Sequence, residues 1–227
     1  ATKSKDLGPR QSRDTRKIHG TFCMKLTEAK LKNLILEVMN EQVLQEAAKG
    51  PQDLPDDVYV RVFEWQRRIF VMFTDEDGSQ IYPTDMDTGE DNPVYGDVSF
   101  FEEDPNDYPC DGSSIIAVSE VADGWGPFLY DIAMEIATTR TNGLTPDRSS
   151  VSDEAADVWD FYSKNRPDVK IHQMDNESND LTSEEGDNCG QSRAREDGDW
   201  EESPLSKRYT KEVSVLNQIK NKLIWEL

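Results

Sequence analysis

Between Ile115 and Tyr162 the chain reads IIAVSEVADGWGPFLYDIAMEIATTRTNGLTPDRSSVSDEAADVWDFY, and no other stretch constrains the fold as strongly. The run Ser114-Ile115-Ile116-Ala117-Val118 predicts a short buried strand. Gly124-Trp125-Gly126-Pro127 predicts a turn, and Phe128 to Ala137 predicts a helix. After a polar break from Thr138 to Ser152, a second, amphipathic helix is expected from Asp153 to Ser163. The remaining elements read as layers added to this strand, glycine turn and helix.

Upstream, Leu31, Leu34, Ile35, Val38 and Met39 recur at helical spacing, so Leu26 to Lys49 predicts an amphipathic helix. Thr27 is its N-cap, and Gly50-Pro51 ends it. From Asp57 to Phe101 the pattern changes to alternation: Val58, Val60 and Val62 in one run, Ile69 to Phe73 in the next. Ile81-Tyr82 and Val94 to Phe101 follow as shorter strands. Gln66-Arg67 and Asp77-Gly78 mark reversals, which makes an antiparallel meander feeding the strand at Ser114. The fold class expected is α+β, a mostly antiparallel central sheet flanked by helices. Four segments follow: a flexible basic arm over 1–22, a folded domain over 23–170, a disordered acidic segment over 171–203, and a C-terminal helix over 204–227. Val213, Leu216, Ile219 and Leu223 give that last helix its apolar side, expected to dock on the body or on a partner.

Only 35% of the 227 residues are hydrophobic, so part of the chain is expected to lie outside any core. The formal net charge of −21 repels phosphate and argues against nonspecific nucleic-acid binding, except through the basic N-terminal arm. Cys23, Cys110 and Cys189 are odd in number and form no CxxC pair, so free thiols in a reducing compartment are expected, with no zinc site. With only His19 and His172 present, a histidine-based triad is disfavoured. No run approaches a membrane span and no signal-peptide pattern is present, so the chain reads as soluble, with no membrane partner. Asp85 to Asp91 fails the EF-hand spacing and reads as an acidic turn.

A strand, glycine turn and helix can hold an anion, because the first helical N–H groups lack partners and the helix dipole is positive there. The spacing is neither GxGxxG nor a P-loop. Gly124-Trp125-Gly126 with Leu129-Tyr130 opening the helix resembles motif A of the GNAT (GCN5-related) N-acetyltransferases, such as occur in tailed bacteriophages. In that family the turn's amides hold the pyrophosphate of acetyl-CoA. Val158-Trp159-Asp160-Phe161-Tyr162 resembles the piece that carries the family's tyrosine acid. The resemblance implies acetyl-CoA as cofactor and an unidentified amine as substrate. Val118, Val121, Gly124, Trp125, Gly126 and Leu129 would lie at the cofactor. Tyr162 would be the acid and Glu120, at the strand end, the base. Val121 stands where the family has Arg or Gln, and Pro127 supplies no N–H, so the expected cradle is weakened. Trp125 is expected to stack on an adenine or to plug the site.

The alternative reading is a non-catalytic phage virion or internal head protein whose partners are phage structural proteins. Leu26-Thr27-Glu28-Ala29 and Leu44-Gln45-Glu46-Ala47 resemble prohead-protease cleavage sites, which is its motivation. The two readings imply the host cytoplasm and the virion, respectively, as locations.

Overall fold

A computed structural model describes residues 48–86, 88–102, 110–174, 189–191, 193–194 and 200–226. The basic arm, both protease-like sites and nearly all of the Leu26–Lys49 helix lie outside the described residues. What is described belongs to one compact unit from Met39 onward. Among the described residues no helix is long and apolar enough to cross a membrane.

The fold is α+β. One eight-stranded sheet runs in the order β6 (Val169–Gln173), β7 (Lys207–Lys211), β5 (Leu144–Thr145), β4 (Ser114–Val121), β3 (Gly96–Phe101), β2 (Arg68–Thr74), β1 (Tyr59–Trp65), β8 (Leu223–Glu226). β1 (Tyr59–Trp65), β2 (Arg68–Thr74), β3 (Gly96–Phe101) and β4 (Ser114–Val121) form the antiparallel meander. The β1–β2 reversal falls on Gln66 and Arg67, both with positive φ, the backbone of a tight primed turn. Ile81-Tyr82 makes no strand; its neighbour Gln80 forms only a single bridge to Thr74. α1 (Gly126–Arg140) then returns the chain to β5 (Leu144–Thr145), parallel to β4. α2 (Asp153–Asn165) leads to β6 (Val169–Gln173), which pairs antiparallel with β7 (Lys207–Lys211).

α1 explains the layering. All ten residues from Phe128 to Ala137 are buried, so this stretch of the helix has no solvent face and needs cover on every side. Val60, Val62, Ile69, Val71, Val98 and Phe100 supply the sheet side. Trp159 and Tyr162 of α2 and Tyr209 of β7 form an aromatic group with Tyr130 beside it, Trp159 lying 5.4 Å from Tyr130 and 4.8 Å from Tyr209. Ser152 caps α2 by accepting the Ala155 N–H at 3.2 Å, and Asp153 and Glu154 favour the positive end of its dipole.

Three expectations require correction. The C-terminal helix is a single turn, α3 (Val215–Gln218), and the chain ends in strand β8 (Leu223–Glu226), parallel to β1 at the far edge of the sheet. The helical spacing of Val213, Leu216, Ile219 and Leu223 was coincidental, because Val215 and Ile219 are the buried pair. The acidic segment is not wholly unstructured: β6 reaches Gln173, and Met174, Cys189, Gln191 and Ala194 are buried, while 175–188 lies outside the described residues. Nor are the cysteines all free. Cys110 and Cys189 form a disulfide across 79 residues, in a small apolar cluster with Ile115 and Met174. Odd number and wide spacing gave no hint of it, since pairing depends on which segments, 79 residues apart, the fold brings together.

Two carboxylates of α1 lie inside this packing. Glu135, fully buried, accepts from Lys211 Nζ at 2.5 Å, Ser214 Oγ at 2.9 Å, Val215 N at 2.8 Å and Leu216 N at 3.0 Å. Asp131 accepts from Arg166 at 2.8 Å. Asp168 joins the two, 2.8 Å from Arg166 and 3.7 Å from Lys211. Burial alone would raise the Glu135 pKa, but Lys211 and the Leu216 and Val215 N–H groups hold it below the usual value. Asp131 is pushed up by burial, against the opposing pull of Arg166.

Removing one partner of such a pair strands the other charge. Glu135→Gln is predicted to destabilise by ~3–5 kcal/mol in urea unfolding. The sign with pH follows from the lowered pKa: the stability Glu135 contributes is present above its unfolded value of ~4.3 and is lost as pH falls through the folded value. Denaturation followed from neutral pH downward is expected to show a shallower acid loss in Glu135→Gln than in the parent chain.

Candidate functional site

The site expected at the glycine turn begins in β4. Ser99 pairs with Val118 but Phe100 pairs with Ile116, so Ala117 is the extra residue of a bulge. On its other side β4 pairs with β5 only at Ser114 and Ile115. Among the described residues no strand pairs with that side of β4 from the bulge onward, since β5 ends at Thr145.

At the turn Gly124 takes φ of +81°, which favours glycine, and its carbonyl accepts the Lys49 N–H at 2.9 Å. Trp125 N–H closes the turn onto the Ala122 carbonyl at 3.0 Å. α1 then begins at Gly126 without a side-chain cap, and Pro127 brings no N–H. Among the described residues no hydrogen bond takes the N–H of Gly126 or Phe128. Gly126 also has no internal reason to be glycine: a Cβ there would meet nothing within 4 Å. It faces a cavity of about 310 Å³ between the start of α1 and the Glu154, Asp157, Val158, Phe161 stripe of α2.

The predicted residues divide. Val121, Gly124 and Gly126 line this cavity. Leu129 is core. Trp125 is neither stacking platform nor plug. It is 1% exposed and packs edge-on against Phe73 at 5.3 Å and Phe128 at 5.6 Å, with Lys49 Nζ 5.1 Å from its ring centroid. Val118 is exposed, but on the sheet face opposite α1. Glu120 is exposed on that same opposite face, directly across from Asp97. Burial first, and then Glu120, raise the Asp97 pKa, while Arg68 opposes them.

Tyr162 is fully buried, and its hydroxyl faces two acceptors, Asp131 Oδ1 at 2.7 Å and the Pro127 carbonyl at 2.8 Å. Burial and then the Asp131 charge push its pKa well above the usual value. Phe161, its neighbour, is the residue that lines the cavity. Tyr162 therefore ties α2 to the start of α1.

Sequence reasoning missed the charge of the cavity. Asp123, Glu154 and Asp157 all line it, and among the described residues no Lys or Arg side chain is in its lining. The signal was present in the α2 spacing, since 154, 157, 158 and 161 share one helix face. Shape and open N–H groups suit a phosphate; three carboxylates oppose one. Among the described residues no group of three His, Cys, Asp or Glu is placed to hold a metal ion. In the acidic turn, Asp85 Oδ1 accepts from Thr88 N at 2.7 Å and so caps its own loop.

The two glycines should separate in a stability assay. Gly124→Ala places a Cβ in the left-handed region and is predicted to lower stability by ~1–2 kcal/mol. Gly126→Ala, with ordinary backbone and open space, is predicted to change it by under ~1 kcal/mol. Thermal melts of the two variants check this.

No family model matches the chain, and neither does any curated protein or solved structure.

Proposed function

We propose that the body from Val58 to Tyr162 is a GNAT-like, acyl-CoA-dependent N-acyltransferase scaffold with a weakened cofactor cradle, acting on an unidentified amine. One observation carries the reading: β4 bulges at Ala117, pairs with β5 only as far as Ile115, and runs on to a glycine turn whose Gly126 opens on the cavity. The N–H groups of Gly126 and Phe128 would hold the pyrophosphate of acetyl-CoA. Glu120 would take the amine's proton from the opposite face of the sheet, with Asp97 beside it. A tyrosine acid forms no part of this reading, because the Tyr162 hydroxyl is already engaged within the protein.

The cavity carboxylates favour a second reading, the same scaffold without catalysis, as in a phage virion protein. Like charge at Asp123, Glu154 and Asp157 works against a phosphate ligand at short range. Calorimetry with acetyl-CoA separates the two. The acyltransferase reading predicts weak binding that tightens at least tenfold, ~1.4 kcal/mol, in Asp157→Lys. No heat from either protein at millimolar acetyl-CoA would leave the scaffold reading, for which the chain's presence in purified particles by mass spectrometry is the direct check.

A further inference from the structure

The sheet face turned away from α1 carries a pattern that the cavity does not explain. The Tyr130 hydroxyl of α1 donates to Ser119 at 3.0 Å, so Ser119, Val98 and Phe100 face the helix. Their alternates face the other way: Phe63 and Trp65 on β1, Arg68 and Phe70 on β2, Asp97 and Phe101 on β3, and Glu120 on β4. Phe63, Phe70 and Phe101 are only partly buried, and Trp65 is 60% exposed.

These residues are ordered. In the middle, Phe63 and Phe70 stack at 5.0 Å with planes 9° apart. At one end the Arg68 guanidinium lies 4.7 Å from the Phe101 ring and 5.7 Å from the Phe70 ring, beside Trp65. At the other end Asp97 and Glu120 sit directly opposite each other, a like-charge cross-strand pair that is unfavourable by itself. Arg61 on that side is matched by Glu226 at 2.6 Å.

We infer that this face is an interface between two copies of the chain. The observation behind it is charge complementarity about an aromatic centre. A two-fold axis along the Phe63–Phe70 row turns the Trp65, Arg68, Phe101 row of one copy onto the Arg61, Met72, Asp97 row of the other, which brings Arg68 over Met72, one strand from Asp97 and within reach of the carboxylate pair. Nucleic acid and anionic membranes fit poorly, because the face carries Asp97 and Glu120 and the chain carries a net charge of −21. Strands ~4.8 Å apart and alternate residues ~6.8 Å apart give a patch on the order of 500 Å² per copy. That is below the ~800 Å² of a standard interface, so the dimer is a dissociable one. This inference does not rest on the acyl-transfer reading, and the two compete for Glu120 and Asp97, which the dimer would cover.

Sedimentation velocity of the full chain, from low micromolar to several hundred micromolar, tests it. The expected result is a monomer that becomes a dimer with rising concentration. Trp65→Lys and Arg68→Glu, both at accessible positions, are each expected to abolish the dimer at the same concentrations with circular dichroism unchanged. The Arg68→Glu, Asp97→Lys double variant, self-complementary again, is expected to restore it. Association untouched by either single variant would overturn the inference. So would a monomer throughout.

Discussion

Glu135 and Lys211 meet at 2.5 Å with almost no access to water, and the fold outside the meander depends on that contact. Removing two ions from water is unfavourable, and the attraction between them offsets it only when the remaining lone pairs are also satisfied. Here they are. Ser214 and the N–H groups of Val215 and Leu216 complete the carboxylate's shell, so a side chain of α1 caps the single turn α3. The chain between β7 and β8 is thereby fixed on α1, which lets one C-terminal segment supply a strand near one edge of the sheet and another at the opposite edge. A loss of ~3–5 kcal/mol at this point is large against the ~5–15 kcal/mol that holds an ordinary domain together.

The same helix carries the coupling to the candidate site. Asp131, one turn before Glu135, receives Arg166 and the Tyr162 hydroxyl, and Tyr162 also reaches the Pro127 carbonyl in the first turn of α1. The two walls of the cavity, the start of α1 and the Glu154–Phe161 stripe of α2, are thus pinned by groups behind them. Pinned walls suit a preformed pocket. Its carboxylates suit a cation better than an anion, and on this point the geometry and the charge of the site disagree.

Much of this was legible in the residues. Alternation in Val58–Phe63 and the continuous run Ile69–Phe73 located β1 and β2, because period two survives in a half-buried sheet. The glycine turn located the start of α1 because Gly124 needs its positive φ. The C-terminal region was not legible, since its apolar spacing fits a helix while pairing with β1 and the Glu135 cap, both distant in sequence, decide the outcome. The role given to Tyr162 failed for a related reason. Spacing placed it on a helix but not on a side of it, and Phe161 holds the cavity side. Two acidic residues four apart in the otherwise apolar helix Phe128–Ala137 were the overlooked signal, since charges so placed are buried and need partners.

Asp131 and Glu135 act as one unit through Arg166, Asp168 and Lys211. A double-mutant cycle of Asp131→Asn and Glu135→Gln by urea unfolding tests it most directly. An interaction energy of ~0.5–3 kcal/mol between the two changes is expected. Additivity within ~0.3 kcal/mol would contradict it and leave two independent buried pairs.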